Sequence, residues 1–123
     1  EAGIGPEDVD VAEVYDAFAI LEVLNTERLG FAPPGSAATR IAAGEFTLGS
    51  ARRTVTNSGG GLIGRGHPLG ATGLAQVAEV VDQLRGRADG RQVDGASVGV
   101  VQTMGGNVRD LEANAGSVMV LTR

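Results

Sequence analysis

The 123-residue sequence has no cysteine, no tryptophan, no lysine and one histidine. Without cysteine there is no disulfide frame, no thiolate metal ligand and no cysteine nucleophile within these residues. Without lysine there is no Schiff base and no lysine for a phosphate-binding loop. One histidine, His67, cannot build a multi-histidine metal site. No apolar run approaches the ~20 residues of a membrane-spanning helix. The formal charge of −5 lacks the basic surplus of a nucleic-acid module. The first residue is Glu1 and no apolar leader follows it, so the expectation is a segment of a larger, cytoplasmic protein.

What is present fits one small globular domain over residues 1–123, with 42% hydrophobic residues. Glycine is abundant at 20 residues, and it falls in short clusters between periodic apolar segments, as in a fold with many tight turns. Val9, Val11 and Val14 predict a short buried strand ending near Tyr15-Asp16. Phe18, Leu21, Val23, Leu24 and Leu29 recur at helical spacing, with Asp16 as the expected N-cap and Gly30 as the stop. Phe31 to Ser50 reads as a loop with one short helix near Ala37 to Ala43. Thr54 to Thr56 reads as a second strand, and Ala71 to Arg85 as a helix closed by Gly86. In that helix Leu74, Val77, Val80, Val81 and Leu84 form the apolar face. Ala96 to Val101 and Ser117 to Thr122 are predicted to be buried strands. The order describes an α/β domain with helices layered on a sheet.

The chemistry concentrates between Asn57 and Gly70, a stretch that reads as too glycine-rich for regular structure. Gly66-His67-Pro68 holds the imidazole between a flexible and a rigid residue, just before a helix start. A histidine there is suited to donate to an oxyanion or to act as a general base. A solvated turn histidine is the plainer alternative. Gly59-x-Gly61-x-x-Gly64 matches the dinucleotide fingerprint formally, but Pro68 intervenes before the helix opens, so that reading is rejected.

Asn57-x-x-Gly60-Gly61, followed by Gly66-His67-Pro68-x-Gly70-Ala71-Thr72-Gly73, resembles the signature of the C-terminal half of the thiolase superfamily. Tyr15-Asp16-Ala17-Phe18 is similar to that family's Asn-Glu-Ala-Phe or His-Asp-Ala-Phe segment. Gln83 to Gly86, Arg91 to Val93 and Gly105-Gly106 are similar to its sterol-carrier (lipid-transfer) branch, which includes acetyl-CoA acetyltransferase-like proteins. The resemblance covers nearly the whole chain. It implies a mixed sheet of the five-stranded type, incomplete at its N-terminal edge, and a missing N-terminal half that carries the nucleophilic cysteine. That half is the expected partner. A homo-oligomer and, for some members, an OB-fold partner chain are implied as well.

The resemblance further implies carbon–carbon chemistry on acyl-CoA thioesters, with coenzyme A entering as substrate and no covalently bound cofactor. His67 matches the oxyanion-hole histidine. Asn57, Gly59, Gly60, Gly61, Gly66, Gly105 and Gly106 match the walls and turns of the acyl-CoA pocket. Two departures stand out. Val101 to Asn107 carries neither the cysteine nor another acid/base group expected there, which weakens a thiolytic reaction. Tyr15 stands where many members have Asn or His, and it is either packing or a proton-transferring phenol. Tyr15 with His67 would suit a retro-aldolase acting on a β-hydroxyacyl-CoA of the steroid side-chain type. A non-catalytic half that shapes an acyl-CoA pocket and an oligomer interface is the reading from a different class. The 123 residues alone are expected to be inactive.

Overall fold

The computed structural model describes residues 2–105 and 115–123. The elements run β1 (Val11–Glu13), α1 (Ala19–Arg28), α2 (Ala37–Ala42), β2 (Val55–Thr56), α3 (Gly61–Arg65), α4 (Thr72–Leu84), β3 (Val98–Gly105) and β4 (Ala115–Thr122). Short 3-10 turns occupy Pro6–Asp8 and Asp89–Arg91. The sheet order is β2-β1-β3-β4. β1 is parallel to both β2 and β3, and β4 returns antiparallel along all of β3, from Val98↔Thr122 to Gly105↔Ala115. This is the α/β architecture expected from the sequence, and the described residues supply four strands of the sheet.

β1 lies between two strands and is covered on both faces, so every residue in it is buried. Val9, Ala12 and Val14 pack with Phe31, Ala32, Ala37, Phe46 and Val100, on the side of α1 and α2. Val11 faces the other way, against Val55, Val80, Leu84, Val93, Ala96 and Val101, beneath α4. Each fully buried valine or leucine contributes about 1.5–3 kcal/mol relative to exposure. Gly99 on β3 passes so close to Val80 of α4 that any side chain there would collide with it. Asp10 fastens the strand entry: its Oδ2 accepts the N–H groups of Ser97 at 2.8 Å and Val98 at 2.9 Å, and Arg53 pairs with Oδ1 at 2.6 Å.

The helix stops follow the sequence. At Gly30 and Gly86 the chain turns left-handed, and the following residue donates back into the helix, Phe31 to the Thr26 carbonyl and Arg87 to the Asp82 carbonyl. Three expectations are corrected. Asp16 does not cap α1, whose N-cap is Phe18 with no side-chain bond. The glycine-rich stretch contains a regular piece, α3, held by a cap from outside its own segment. β4 is a strand but is not buried: Val118 is 57% exposed, and Met119 and Val120 are exposed too. It forms one edge of the sheet, and of its apolar residues only Leu121 packs against the core beneath α4, while Val118, Met119 and Val120 stay open. No helix among the described residues is long and apolar enough to cross a membrane.

α4 buries a mixed face. Val80 and Leu84 enter the core and Val77 packs against it, as expected, while Leu74 stays 73% exposed. Gln76, Glu79 and Gln83 fill the rest of the buried face. They stand there because nearby backbone and arginine groups need partners: Gln76 donates to the Gln102 carbonyl and Gln83 to the Arg91 carbonyl.

Candidate functional site

β1 delivers Tyr15 to the C-terminal end of the sheet. Once the chain leaves the ladder, its backbone groups need other partners. Side-chain amides supply them. Asn57 Oδ1 accepts the Val14 N–H, Gln102 Oε1 accepts the Tyr15 N–H, and Asn25 Nδ2 donates to the Tyr15 carbonyl, each at 2.9 Å. Tyr15 is thus fixed by amides from β3, α1 and the loop after β2.

The loop from α3 to α4 brings His67 to Tyr15. The phenol oxygen lies 3.0 Å from Nε2, and the two rings meet edge to face with centroids 5.4 Å apart. On the other side of the ring, Nδ1 lies 2.7 Å from Oγ1 of Thr72, the first residue of α4. The Thr72 hydroxyl also lies 3.2 Å from the Pro68 carbonyl. If it donates there, its oxygen accepts from Nδ1–H, and Nε2 then accepts from Tyr15. The N-terminus of α4 lies directly after this histidine and has no side-chain cap, which favours negative charge nearby.

The residues around the pair hold it in place. Asp16 is buried and directs its carboxylate at α3, accepting the N–H of Leu62 at 2.6 Å and of Ile63 at 3.4 Å. It is a helix cap, for a helix distant in sequence. Gly61 lies beneath this carboxylate, and a side chain there would strike it. Gly59 lies against the guanidinium of Arg65 and the carboxylate of Glu79. Gly60 supplies a left-handed turn at the start of α3 and Gly66 another at its end, beside His67. Asn57, itself left-handed at φ 48°, joins the same cluster through Val14. Gly105 is the exposed end of β3, three residues beyond Gln102, and makes no hydrogen bond to Tyr15 or His67. Gly106 lies outside the described residues.

Several groups escaped the sequence reading. Gln102 was noted only as lacking acid/base capacity, yet it anchors Tyr15. Thr72 enters the sequence reading only as part of the Gly70-Ala71-Thr72-Gly73 block. Below the pair lies an ionic chain in which the carboxylates of Glu13 and Glu79 are buried and the two arginines reach the surface. Arg65 donates to Glu13, Glu79 lies 4.0 Å from Arg65, and Arg91 donates to Glu79 at 3.0 Å. Burial pushes the Glu13 carboxyl up to about 7 against the pull of Arg65, and the charge of Glu79 adds to the rise. Burial also opposes ionisation of Glu79, but hydrogen bonds from Arg91, Gln83 and Ser58 outweigh it and hold that carboxyl below its usual range. Glu22, next to Asn57, is raised by burial and by the charge of Asp16. Four apolar side chains next to site residues are exposed: Phe18, Ile63, Leu69 and Leu74, with Leu69 at 87%. No cluster of His, Asp or Glu suited to a metal occurs among the described residues.

The thiolase C-terminal domain-like family model matches residues 1–122. Rat sterol carrier protein 2 is 49% identical over 105 residues, which are 85% of this chain and 19% of that protein. Acetyl-CoA acetyltransferase from Methanothermobacter thermautotrophicus is 46% identical over 105 residues, covering 85% of this chain and 27% of that protein. A solved structure described as Ltp2-ChsH2(DUF35) aldolase superposes with a TM-score of 0.75 at 26% identity, covering 98% of this chain and 28% of that one. The chain thus spans about a fifth to a quarter of the length of these curated relatives. By its sequence and its fold, the chain belongs to the thiolase C-terminal domain-like family.

Proposed function

We propose that the whole protein cleaves or forms a carbon–carbon bond in an acyl-CoA thioester, and that this chain supplies the proton-transferring pair Tyr15 and His67. One observation carries the proposal: the phenol oxygen stands 3.0 Å from Nε2 of an imidazole whose other nitrogen lies 2.7 Å from the Thr72 hydroxyl. A phenol is a weak acid, and imidazole accepts protons near neutrality. Transfer of the phenolic proton to Nε2 gives a phenolate beside an imidazolium. The phenolate takes the proton of a substrate β-hydroxyl. The carbonyl forms at the β-carbon, and the bond to the α-carbon breaks with its electron pair moving into the thioester enolate. The enolate then takes a proton from the phenol or the imidazolium. The uncapped N-terminus of α4 stands where negative charge on the enolate oxygen would be favoured. This is retro-aldol cleavage of a β-hydroxyacyl-CoA. The name of the aldolase that shares the fold supports it.

Acyl transfer of thiolase type is the second reading. The names of the acetyltransferase and thiolase relatives favour it. In that reaction His67 donates to the thioester oxygen, and a cysteine in the N-terminal half carries the acyl group. For that, His67 must give up Tyr15 as its partner at Nε2. Coenzyme A is substrate in both readings, and the N-terminal thiolase half, a second copy and an OB-fold chain are the proposed partners.

The two are separated by the mass of the whole protein after mixing with acyl-CoA and with β-hydroxyacyl-CoA. The retro-aldol reading expects no covalent adduct, with release of a ketone or aldehyde and a shorter acyl-CoA. A trapped acyl adduct would establish acyl transfer. Neither adduct nor product would leave a non-catalytic, acyl-CoA-binding half.

A further inference from the structure

We infer that the ion pair between the buried Glu13 and the partly exposed Arg65 holds Tyr15 and His67 in register with each other. The inference rests on the reading of Tyr15 and His67 as the reacting pair. Glu13 ends β1 and stands two residues before Tyr15, while Arg65 ends α3 and stands two residues before His67. Nη2 of Arg65 donates to Oε2 of Glu13, so one contact joins the two segments at matched distances from the two functional side chains. On the far side of Tyr15, Asp16 holds the opposite end of the same helix. α3 has only five residues and cannot stand on its own hydrogen bonds. It is held at both ends by the residues flanking Tyr15.

An aliphatic residue at position 13 would close this layer at less cost. Glu13 is fully buried, and its Oε1 has no hydrogen-bond partner. Replacing such an ion pair by well-packed apolar groups is often neutral or stabilising. Val11, two residues earlier on the same face, does pack that way. What the ion pair adds is direction. The guanidinium is aimed by its surroundings: Glu79 of α4 faces it at 4.0 Å, and Glu79 is fixed by Arg91, Ser58 and Gln83. From β3 the register partner of Glu13 is the apolar Val101. A Cβ at Gly59 would lie 2.9 Å from Nη1 of Arg65 and 3.1 Å from Oε2 of Glu79 and would push these side-chain ends from their present places. Arg65, Glu79 and, through Glu79, Arg91 are therefore the charges that Glu13 meets.

The test uses the whole protein with Glu13→Met, Arg65→Met and the double variant, assayed on a β-hydroxyacyl-CoA. Misplacing a reacting group by about 1 Å costs on the order of 10²-fold in rate, so kcat is expected to fall ~10–100-fold with KM little changed. The double variant is expected to lose no more than either single one, because removing either partner breaks the contact. If the variants melt at lower temperature but keep full kcat per folded molecule, the pair is only structural and the inference is overturned. The nitrogen resonances of the His67 imidazole, assigned by their loss in His67→Ala, give a readout independent of turnover. They are expected to move in Arg65→Met, and in Arg65→Lys should Arg65→Met fail to fold. Unmoved resonances overturn the inference. If Tyr15→Phe retains full cleavage, the reaction reading fails, and the His67 resonances still decide whether the ion pair places the imidazole.

Discussion

The carboxylate of Asp16 accepts the backbone N–H of Leu62 at 2.6 Å, across 46 residues of sequence. The residue after Tyr15 thus caps the helix that leads to His67. Asp16→Ala removes the cap from a buried helix start. The expected loss is about 1–2 kcal/mol of folding free energy, measured by urea denaturation, with Asp16→Asn losing less. Faster amide exchange at Leu62 than at Val80 in the Ala variant would locate the damage in α3. No change in stability or exchange would show that α3 does not need this cap.

Glu13 gives folding a pH dependence with a definite sign. Its ordinary value is 4.5, and burial raises it to about 7 in the fold. As pH rises from 4.5 toward 7, the unfolded chain has released this proton and the folded chain has not. Folding then takes up a proton, so stability falls with rising pH across that window. Above it, both states are ionised and the cost is constant. Asp10 and Glu79 act in the opposite sense, because their carboxyls are lowered: burial opposes their ionisation, but the hydrogen bonds they accept outweigh it. Their stabilisation is lost only in more acid solution, so the two effects separate on the pH axis. Melting curves of the native protein and Glu13→Gln between pH 5 and 7.5, a range set by about one unit around these values, are expected to converge or cross as the native protein loses stability. Parallel curves would contradict a raised Glu13.

The hydroxyl of Thr72 faces Nδ1 of His67 at 2.7 Å and is its partner in the proposed proton chain. Thr72→Val keeps the shape and removes the acceptor for Nδ1–H. The rate of carbon–carbon cleavage is expected to drop about tenfold, the equivalent of one hydrogen bond near 1.4 kcal/mol. Thr72→Ser restores the hydroxyl and is expected to restore the rate. Equal rates in the threonine, serine and valine forms would remove Thr72 from the proton chain.

The strands and helix stops were legible because they are local. The valines of β1 and the glycines after α1 and α4 announce themselves within a few residues. The Gly66-His67-Pro68 block singles out, for the same reason, the loop that meets Tyr15. The partner of His67 is 52 residues away, and Tyr15 entered only as an unusual residue in a familiar segment. Asp16 was read as a cap because its type and place suit one, but which helix it caps is decided by the turn of the chain at the end of β1. The apolar pattern of β4 was read as burial, although a strand at the sheet edge has that pattern whether or not something covers it. The buried Glu13, Gln76 and Glu79 were invisible to apolar periodicity, since a polar residue in the core is justified only by partners that the fold brings to it.

The central claim is that Tyr15 moves the proton. Its most direct test is the rate of β-hydroxyacyl-CoA cleavage by Tyr15→Phe in the whole protein, which removes one oxygen and keeps the ring. General acid–base groups contribute ~10²–10⁴-fold, and a loss in that range with the fold intact is the expected result. Cleavage at the native rate by the phenylalanine form would contradict the claim.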